Sequence, residues 1–187
     1  MAILDNVETP LNENNVSIWD NVKKWGLILA LIRVVMTLVE HIFNVTAQGG
    51  LVIALDTVLA ISLSLTLLYL SLREHRDQEL GGFMSFKRAF FLAFIVGLVS
   101  SFILVIFNFA YLNYINPSAI EAQIETSKAM MEKFGMPEDK MDAALDKARR
   151  DIVSPFSILT GSLFYAFMFA IAGLIMGAIT KKDRPMF

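Results

Sequence analysis

The sequence predicts an all-α integral membrane protein with four transmembrane helices arranged as two hairpins and an external helical hairpin inserted between the third and fourth. Composition is the first reason. Of 187 residues, 56% are hydrophobic and only 18% charged, with a mean hydropathy of +0.58, which is too apolar for a soluble domain of this size. The second is length, since the apolar runs reach the roughly 20 residues needed to cross about 30 Å of hydrocarbon. The third is that charge gathers almost entirely between those runs.

Residues 1–24 read as a cytoplasmic tail. The first 17 mix acidic residues with four Asn and show little periodicity, which suits disorder. Ile18, Trp19, Val22 and Trp25 then recur at helical spacing and suit an anchor at the membrane surface. Residues 25–182 read as one transmembrane domain with spans at about 25–45, 51–72, 89–115 and 156–180, and residues 183–187 as a C-terminal tail. Gln48-Gly49-Gly50 supplies the tight turn between the first two spans. The first run is too long to be a cleaved leader, is interrupted by Arg33 and lacks a small-residue cleavage site. Between spans two and three, Gly81-Gly82 breaks the helix and Ser85 can cap the next one. Phe83, Phe86, Lys87 and Arg88 there suit contact with lipid headgroups or a partner.

Residues 116–155 form the inserted hairpin. Asn116-Pro117 breaks the chain, and Ser118 with Glu121 has capping-box spacing. Ile120, Ile124, Met131 and Phe134 make one apolar stripe, Gly135 stops the helix, and Pro137-Glu138-Asp139 suits the start of a second. Met141, Leu145, Ala148 and Ile152 make the second stripe. Mutual packing of the stripes is the default, while Met130, Met131, Phe134, Met136 and Met141 offer an adaptable surface for a partner.

Basic residues set the orientation. Lys23, Lys24, Arg73, Arg76, Lys87, Arg88, Lys181, Lys182 and Arg184 all fall on one side of a four-span chain. The six basic residues of the long second loop on the other side are outweighed by eight acidic ones. Both termini are therefore expected in the cytoplasm of a bacterium and residues 116–155 outside its inner membrane.

Zero cysteines and two isolated histidines exclude a disulfide scaffold, a thiol nucleophile and a cysteine-ligated metal, and no cofactor is expected. A net charge of −2 speaks against nucleic acid. Ionisable residues inside the spans are the best site candidates, because desolvating them is costly unless they find partners or water. Arg33, Thr37, Glu40 and Asn44 fall at i, i+4, i+7 and i+11 and make a polar stripe. Asp56 in span two should lie at the depth of Glu40, with Arg33 about two turns deeper. This set is read either as an ion-pair and hydrogen-bond network pinning the first hairpin or as a proton-responsive or headgroup-binding site; His41 is expected at the interface. Ser162, Ala166, Ala170, Gly173 and Gly177 form a small-residue ridge on span four that suits close helix packing, within the chain or between copies.

Gly82, Phe83, Ser85, Phe86, Ala89 and Phe90 at the start of span three, Tyr114-Ile115-Asn116-Pro117 at its end, the charged helical insert with its Met136-Pro137-Glu138-Asp139 turn and a fourth span ending in Lys-Lys form a pattern. Over roughly residues 20–182 it resembles the four-span inner-membrane family of Bacteroidota catalogued as domain of unknown function 4199. The resemblance implies an α-helical inner-membrane protein and an accessory role in envelope glycolipid assembly, and it carries no activity or ligand to transfer. Two functions are expected from residues and resemblance together. The first is a non-enzymatic accessory or scaffold subunit of an inner-membrane complex, holding another membrane protein or a second copy through the external hairpin or span four. The alternative is a small oligomeric transporter or flippase-like protein for a lipid-linked sugar or other amphiphile. A lipid-acting enzyme would have only Glu40 and Asp56 as its acid–base pair, with no evident nucleophile.

Overall fold

A computed structural model describes residues 13–45 and 48–182, so the expected C-terminal tail and most of the N-terminal one lie outside the described residues. The chain is all-helical there: α1 Trp19–Ile42, α2 Gly50–Glu74, α3 Phe86–Ala110, α4 Ser118–Lys133, α5 Glu138–Val153 and α6 Phe156–Thr180. Four of them, α1, α2, α3 and α6, are long and apolar enough to cross a membrane, and the protein is a multi-pass membrane protein. α2 and α3 each end in a wider π-helical turn, His75–Glu79 and Tyr111–Ile115. Those turns bring the two segments to 30 residues, about 45 Å, so both outreach the hydrocarbon layer.

The tightest packing joins α3 to α6. On α3, Ala89, Ala93, Gly97 and Ser101 repeat every fourth residue and are all buried; on α6, Ser162, Ala166, Gly173 and Gly177 are buried on the facing side. Small side chains let two backbones approach where no hydrophobic effect drives helices together in lipid. A Cβ at Gly97 would lie 2.3 Å from the Phe169 Cβ, and one at Gly173 would touch Ala93 at 3.0 Å. The span-four ridge is thus an internal seam. Its α3 counterpart is absent from the sequence reading, although the four-residue spacing was there to find.

α1 lies along the other side of α3, with Gly26 against Val96 and Val99. Its start corrects the surface-anchor expectation. Ile18 and Val22 are buried in the main core with Leu72, Leu80 and Met84 while Trp19 stays exposed, because the helix begins six residues before the apolar run proper and delivers those side chains to α2.

The end of the bundle that carries both termini is closed by polar contacts. Asn21 and Ser71 are buried and bond reciprocally, the amide donating to the Ser71 carbonyl at 3.1 Å and the Ser71 hydroxyl to the amide oxygen at 2.7 Å. The Lys24 ammonium meets the Glu74 carboxylate at 2.7 Å. Arg76 donates to the Thr180 carbonyl at the end of α6, satisfying one of the carbonyls a helix end leaves free. Met84 and Lys182 exchange two backbone hydrogen bonds. The disordered-tail expectation fails where the tail is described, because Glu13 accepts from the Ser85 amide and hydroxyl, both at 2.7 Å.

α4 and α5 form a helical hairpin with its own core of Ile124, Met141 and Leu145, flanked by Ile120, Met131, Ala148 and Ile152. The two stripes cover each other except at Phe134, which lies past the end of α4 and stays exposed. α4 ends in paired reverse hydrogen bonds, Met136 N–H to the Met131 carbonyl and Gly135 N–H to the Glu132 carbonyl, with Gly135 at φ 70°, a termination for which glycine is the low-cost residue. The capping box does not form: Ser118 donates instead to the Asn116 side chain at 2.6 Å, because Pro117 occupies the position before the helix. Arg149 on α5 ion-pairs with Glu121 on α4, and that carboxylate raises the proton affinity of the guanidinium further.

Because the α3–α6 seam leaves no room for a side chain, Gly97→Val is expected to cost about 1–3 kcal/mol in thermal unfolding of the detergent-solubilised protein. The control Leu31→Val, on the exposed face of α1, should stay within about 0.5 kcal/mol of the parent.

Candidate functional site

At the opposite end from the termini the four spans do not close. α2 crosses α1 at the termini end, through Asn21, Lys24 and their partners, and then stands away from the bundle. Its first half has no buried residue, and the first one along the helix is Ser64. The two-hairpin arrangement therefore holds in chain order, while the packing pairs are α3 with α6 and α3 with α1.

The space left is a cavity of about 880 Å³. α1 contributes Arg33, Thr37, Glu40 and His41, and Asn44 follows just beyond the helix. α2 contributes Asp56, Ala60 and Ser64; α3 gives Asn108, α6 gives Tyr165, and the start of the α4 hairpin roofs it with Asn116, Ser118 and Gln123. Every member of the predicted polar set thus reaches one cavity. Asn44 arrives differently from the expectation: α1 stops at Ile42 and Asn44 sits at φ 47°, a left-handed conformation that asparagine tolerates better than most residues.

Arg33 is the group around which the cavity is organised. It lies nine residues before the end of α1, about 14 Å along the axis. Its guanidinium sits 5.4 Å from the centre of the Tyr165 ring and donates to the Ser64 hydroxyl at 3.5 Å, a long contact. That hydroxyl is itself tied to the Ala60 carbonyl at 2.7 Å. Among the described residues Arg33 forms no ion pair with Glu40 or Asp56. The network expected to pin the first hairpin is therefore corrected in its ion pairs only: Arg33 has the Tyr165 ring and the Ser64 hydroxyl of α2 beside it, and an open cavity before it. Glu40 and Asp56 instead face one another within interaction range.

His41 stands one residue before the end of α1 and is half-buried. Its ring stacks on Tyr111 at 4.5 Å between centroids and 12° between planes, and its Nε2 is buried without a hydrogen-bond partner. Asn108, Asn116, Gln123 and Tyr165 were not singled out as site residues. In an apolar span Tyr165 reads as one more aromatic, and only the fold shows it opposite Arg33.

The basic aromatic loop is used mainly inside the protein. Arg88 donates through Nε to His75 Nε2 at 3.2 Å and through a terminal nitrogen to the Val16 carbonyl. Since a guanidinium only donates, His75 Nε2 accepts and Nδ1 carries the proton shared with Glu79 at 2.9 Å. Phe86 lies over Gly177, and the Lys182 ammonium sits 5.3 Å from the Phe83 ring. Of the four residues expected at headgroups or a partner, Lys87 is exposed and placed for it; Arg88 is not, because His75 and the chain before α1 need it. The methionine set divides likewise. Met131 and Met141 belong to the hairpin core, whereas Met130, Phe134 and Met136 are exposed at its tip, Phe134 by 81%.

With this geometry in place the comparison with known families is direct. The family model described as Protein of unknown function (DUF4199) matches residues 24–182. The chain belongs to that family. The matched stretch runs from Lys24, which pairs with Glu74, to Lys182 of the bridge with Met84, so the whole cavity lies within it, while Glu13, Asn21 and Val22 of the closed end precede it. No curated protein and no solved structure matches the chain.

The absence of cysteine makes the cavity testable by single-cysteine labelling. Ala60→Cys and Ser64→Cys, on the cavity wall, should react with a small water-soluble thiol reagent at least ten-fold faster than Leu55→Cys and Leu59→Cys, which line no part of it. Equal rates would mean that the cavity holds no water.

Proposed function

We propose that this family member is a membrane-embedded binding protein for an amphiphile, acting as a small transporter or flippase-like protein, with a lipid-linked sugar among the candidate cargoes. One observation carries the reading: an arginine at mid-depth in a span, in no salt bridge among the described residues, opening into a cavity whose rim is carboxylates and amides and whose deeper wall is apolar. A charge held at that depth is costly without water or a ligand. Carboxylates and amides offer hydrogen bonds to a hydroxyl- or amine-bearing group, and the apolar wall suits a chain. The protein makes and breaks no bond in this reading. Four spans enclose little on their own, and the exposed first half of α2 is where a second copy would complete the wall.

The orientation that fits is the one that the basic residues dictate: both termini in the cytoplasm of a bacterium of the Bacteroidota type, and the hairpin and cavity mouth on the outer side of the inner membrane. A cysteine introduced as Phe134→Cys should then be labelled in spheroplasts by a membrane-impermeant reagent, and one introduced as Lys87→Cys should not; the reverse pattern overturns the orientation. Native mass spectrometry of protein extracted in mild detergent is expected to show a retained amphiphile. Ala60→Trp, which fills the cavity, should lower its occupancy at least ten-fold while leaving thermal stability near that of the parent. A cavity that never retains an amphiphile would sink the reading.

A second reading has its own observation. Met130, Phe134 and Met136 form an exposed apolar tip on an otherwise charged hairpin, and adaptable methionines suit a protein contact. In that reading the protein is an accessory or scaffold subunit. Phe134→Glu should then release a stoichiometric partner on purification from native membranes, with the fold intact, because that side chain packs on nothing in the hairpin core; retention of the partner would remove the tip from the interface.

A further inference from the structure

The cavity is graded along its length. Measured from the end that carries the hairpin, Glu40 lies two residues into α1 and Asp56 six residues into α2, about 3 and 9 Å in. Arg33 and Tyr165 follow at about 14 Å on α1 and α6. Ile171 and Ile175 of α6 come deeper still, at about 22 and 28 Å, facing Ile61 and Leu65 of α2 across the cavity. Ile61, Ile171 and Ile175 are at once cavity wall and exposed apolar surface, so the deep part of the cavity between α2 and α6 is open and apolar.

The order from mouth to depth is therefore two carboxylates, one guanidinium, then hydrocarbon. Read from the deep end, that is the complement of an apolar chain, an anionic group and a cationic group in sequence. A guanidinium presents planar paired donors that match phosphate oxygens. When ionised, the carboxylates present only acceptors, and an ammonium presents three donors and no acceptor. An anionic lipid without the amine would meet Arg33 favourably but would set its outer end against uncompensated acceptors of like charge. A simple cationic amphiphile would satisfy the carboxylates and leave Arg33 facing its own charge.

We propose that the cavity binds a phospholipid whose phosphate is followed by a primary amine, with the phosphate on Arg33 and Ser64, the ammonium between Glu40 and Asp56, and the chain leaving between α2 and α6. This rests on the amphiphile-binding reading above and adds the order of charges in the headgroup. Arg33 is the phosphate-binding residue, Tyr165 holds its guanidinium in plane, and Glu40 and Asp56 set the preference for the amine.

The test uses the full-length protein in a non-ionic detergent and three probes: lysophosphatidylethanolamine, lysophosphatidylglycerol and free phosphoethanolamine. Titrations are followed by native mass spectrometry and by the shift in unfolding temperature. The wild type is expected to bind the amine-bearing lysolipid at least ten-fold more tightly than the glycerol one, and free phosphoethanolamine at least a hundred-fold more weakly. Arg33→Gln should weaken both lysolipids ten-fold or more, and Arg33→Lys should recover part of that loss. Glu40→Gln combined with Asp56→Asn should abolish the preference while retaining the glycerol lysolipid. Equal binding of the two lysolipids by the wild type overturns the proposal without needing any variant to fold, and leaves the amphiphile reading standing. Free phosphoethanolamine binding as tightly as the lysolipid overturns the lipid assignment in favour of a soluble ligand. If neither lysolipid nor any retained amphiphile binds, both readings fall together.

Discussion

Helices in a bilayer gain nothing from burying leucine against leucine, because the lipid is as apolar as the interface. What remains is close van der Waals contact, and in this protein that contact is concentrated at the α3–α6 seam, where Gly97 meets Phe169 and Gly173 meets Ala93. The rest of the arrangement depends on that seam. With α6 locked to one side of α3 and α1 laid along another through Gly26, the outer half of α2 has no small-residue surface left to pack against. α2 is held over its second half, by Leu68 and Leu72 in the core and by Asn21, Ser71, Lys24 and Glu74, and its first half, with no buried residue, stands off. The cavity is the geometric remainder of three helices packed on small residues and a fourth that is not.

The polarity of the two ends follows the same division. At the termini end the polar groups are paired with one another: Asn21 with Ser71, His75 with Arg88 and Glu79, Glu13 with Ser85. Apart from the buried Trp25 Nε1, these buried groups have internal partners, which is the condition for placing them in a tightly packed layer. At the hairpin end the polar groups line an open cavity instead. Arg33 has a ring and a hydroxyl beside it, His41 Nε2 has no partner, and Glu40 and Asp56 face one another. A chain under selection for stability alone would have fewer such groups at depth. That contrast is the physical ground for placing binding at the open end and structure at the closed one.

The inserted hairpin belongs to both accounts. Its own core makes it a packed unit, tied to the end of span three where Asn113 reaches the Ile152 carbonyl. The first turns of α4 roof the cavity while the tip presents Met130, Phe134 and Met136 outward. One element thus borders the ligand space at its base and offers an adaptable surface at its apex, a geometry through which a bound partner would bear on the cavity roof.

The sequence by itself determined what composition and period can carry. The four spans, the glycine turn at residue 49, the Ser85 cap of α3, confirmed by its bond from the Arg88 amide, the two amphipathic stripes of the hairpin and the position of Arg33 about two turns deeper than Glu40 are all local properties, fixed by rise per residue and side-chain character. Tertiary structure decided everything that depends on which faces meet. It made the span-four ridge an internal seam, because α3 carries a matching ridge at Ala89, Ala93, Gly97 and Ser101. It turned Arg88 inward to His75, drew Ile18 and Val22 into the core, and set Tyr165 beside Arg33, since none of these neighbours is near in sequence. A polar stripe looks the same in sequence whether it is paired or open. Only the position of α2 determines which, and that position is set by packing at the opposite end of the molecule.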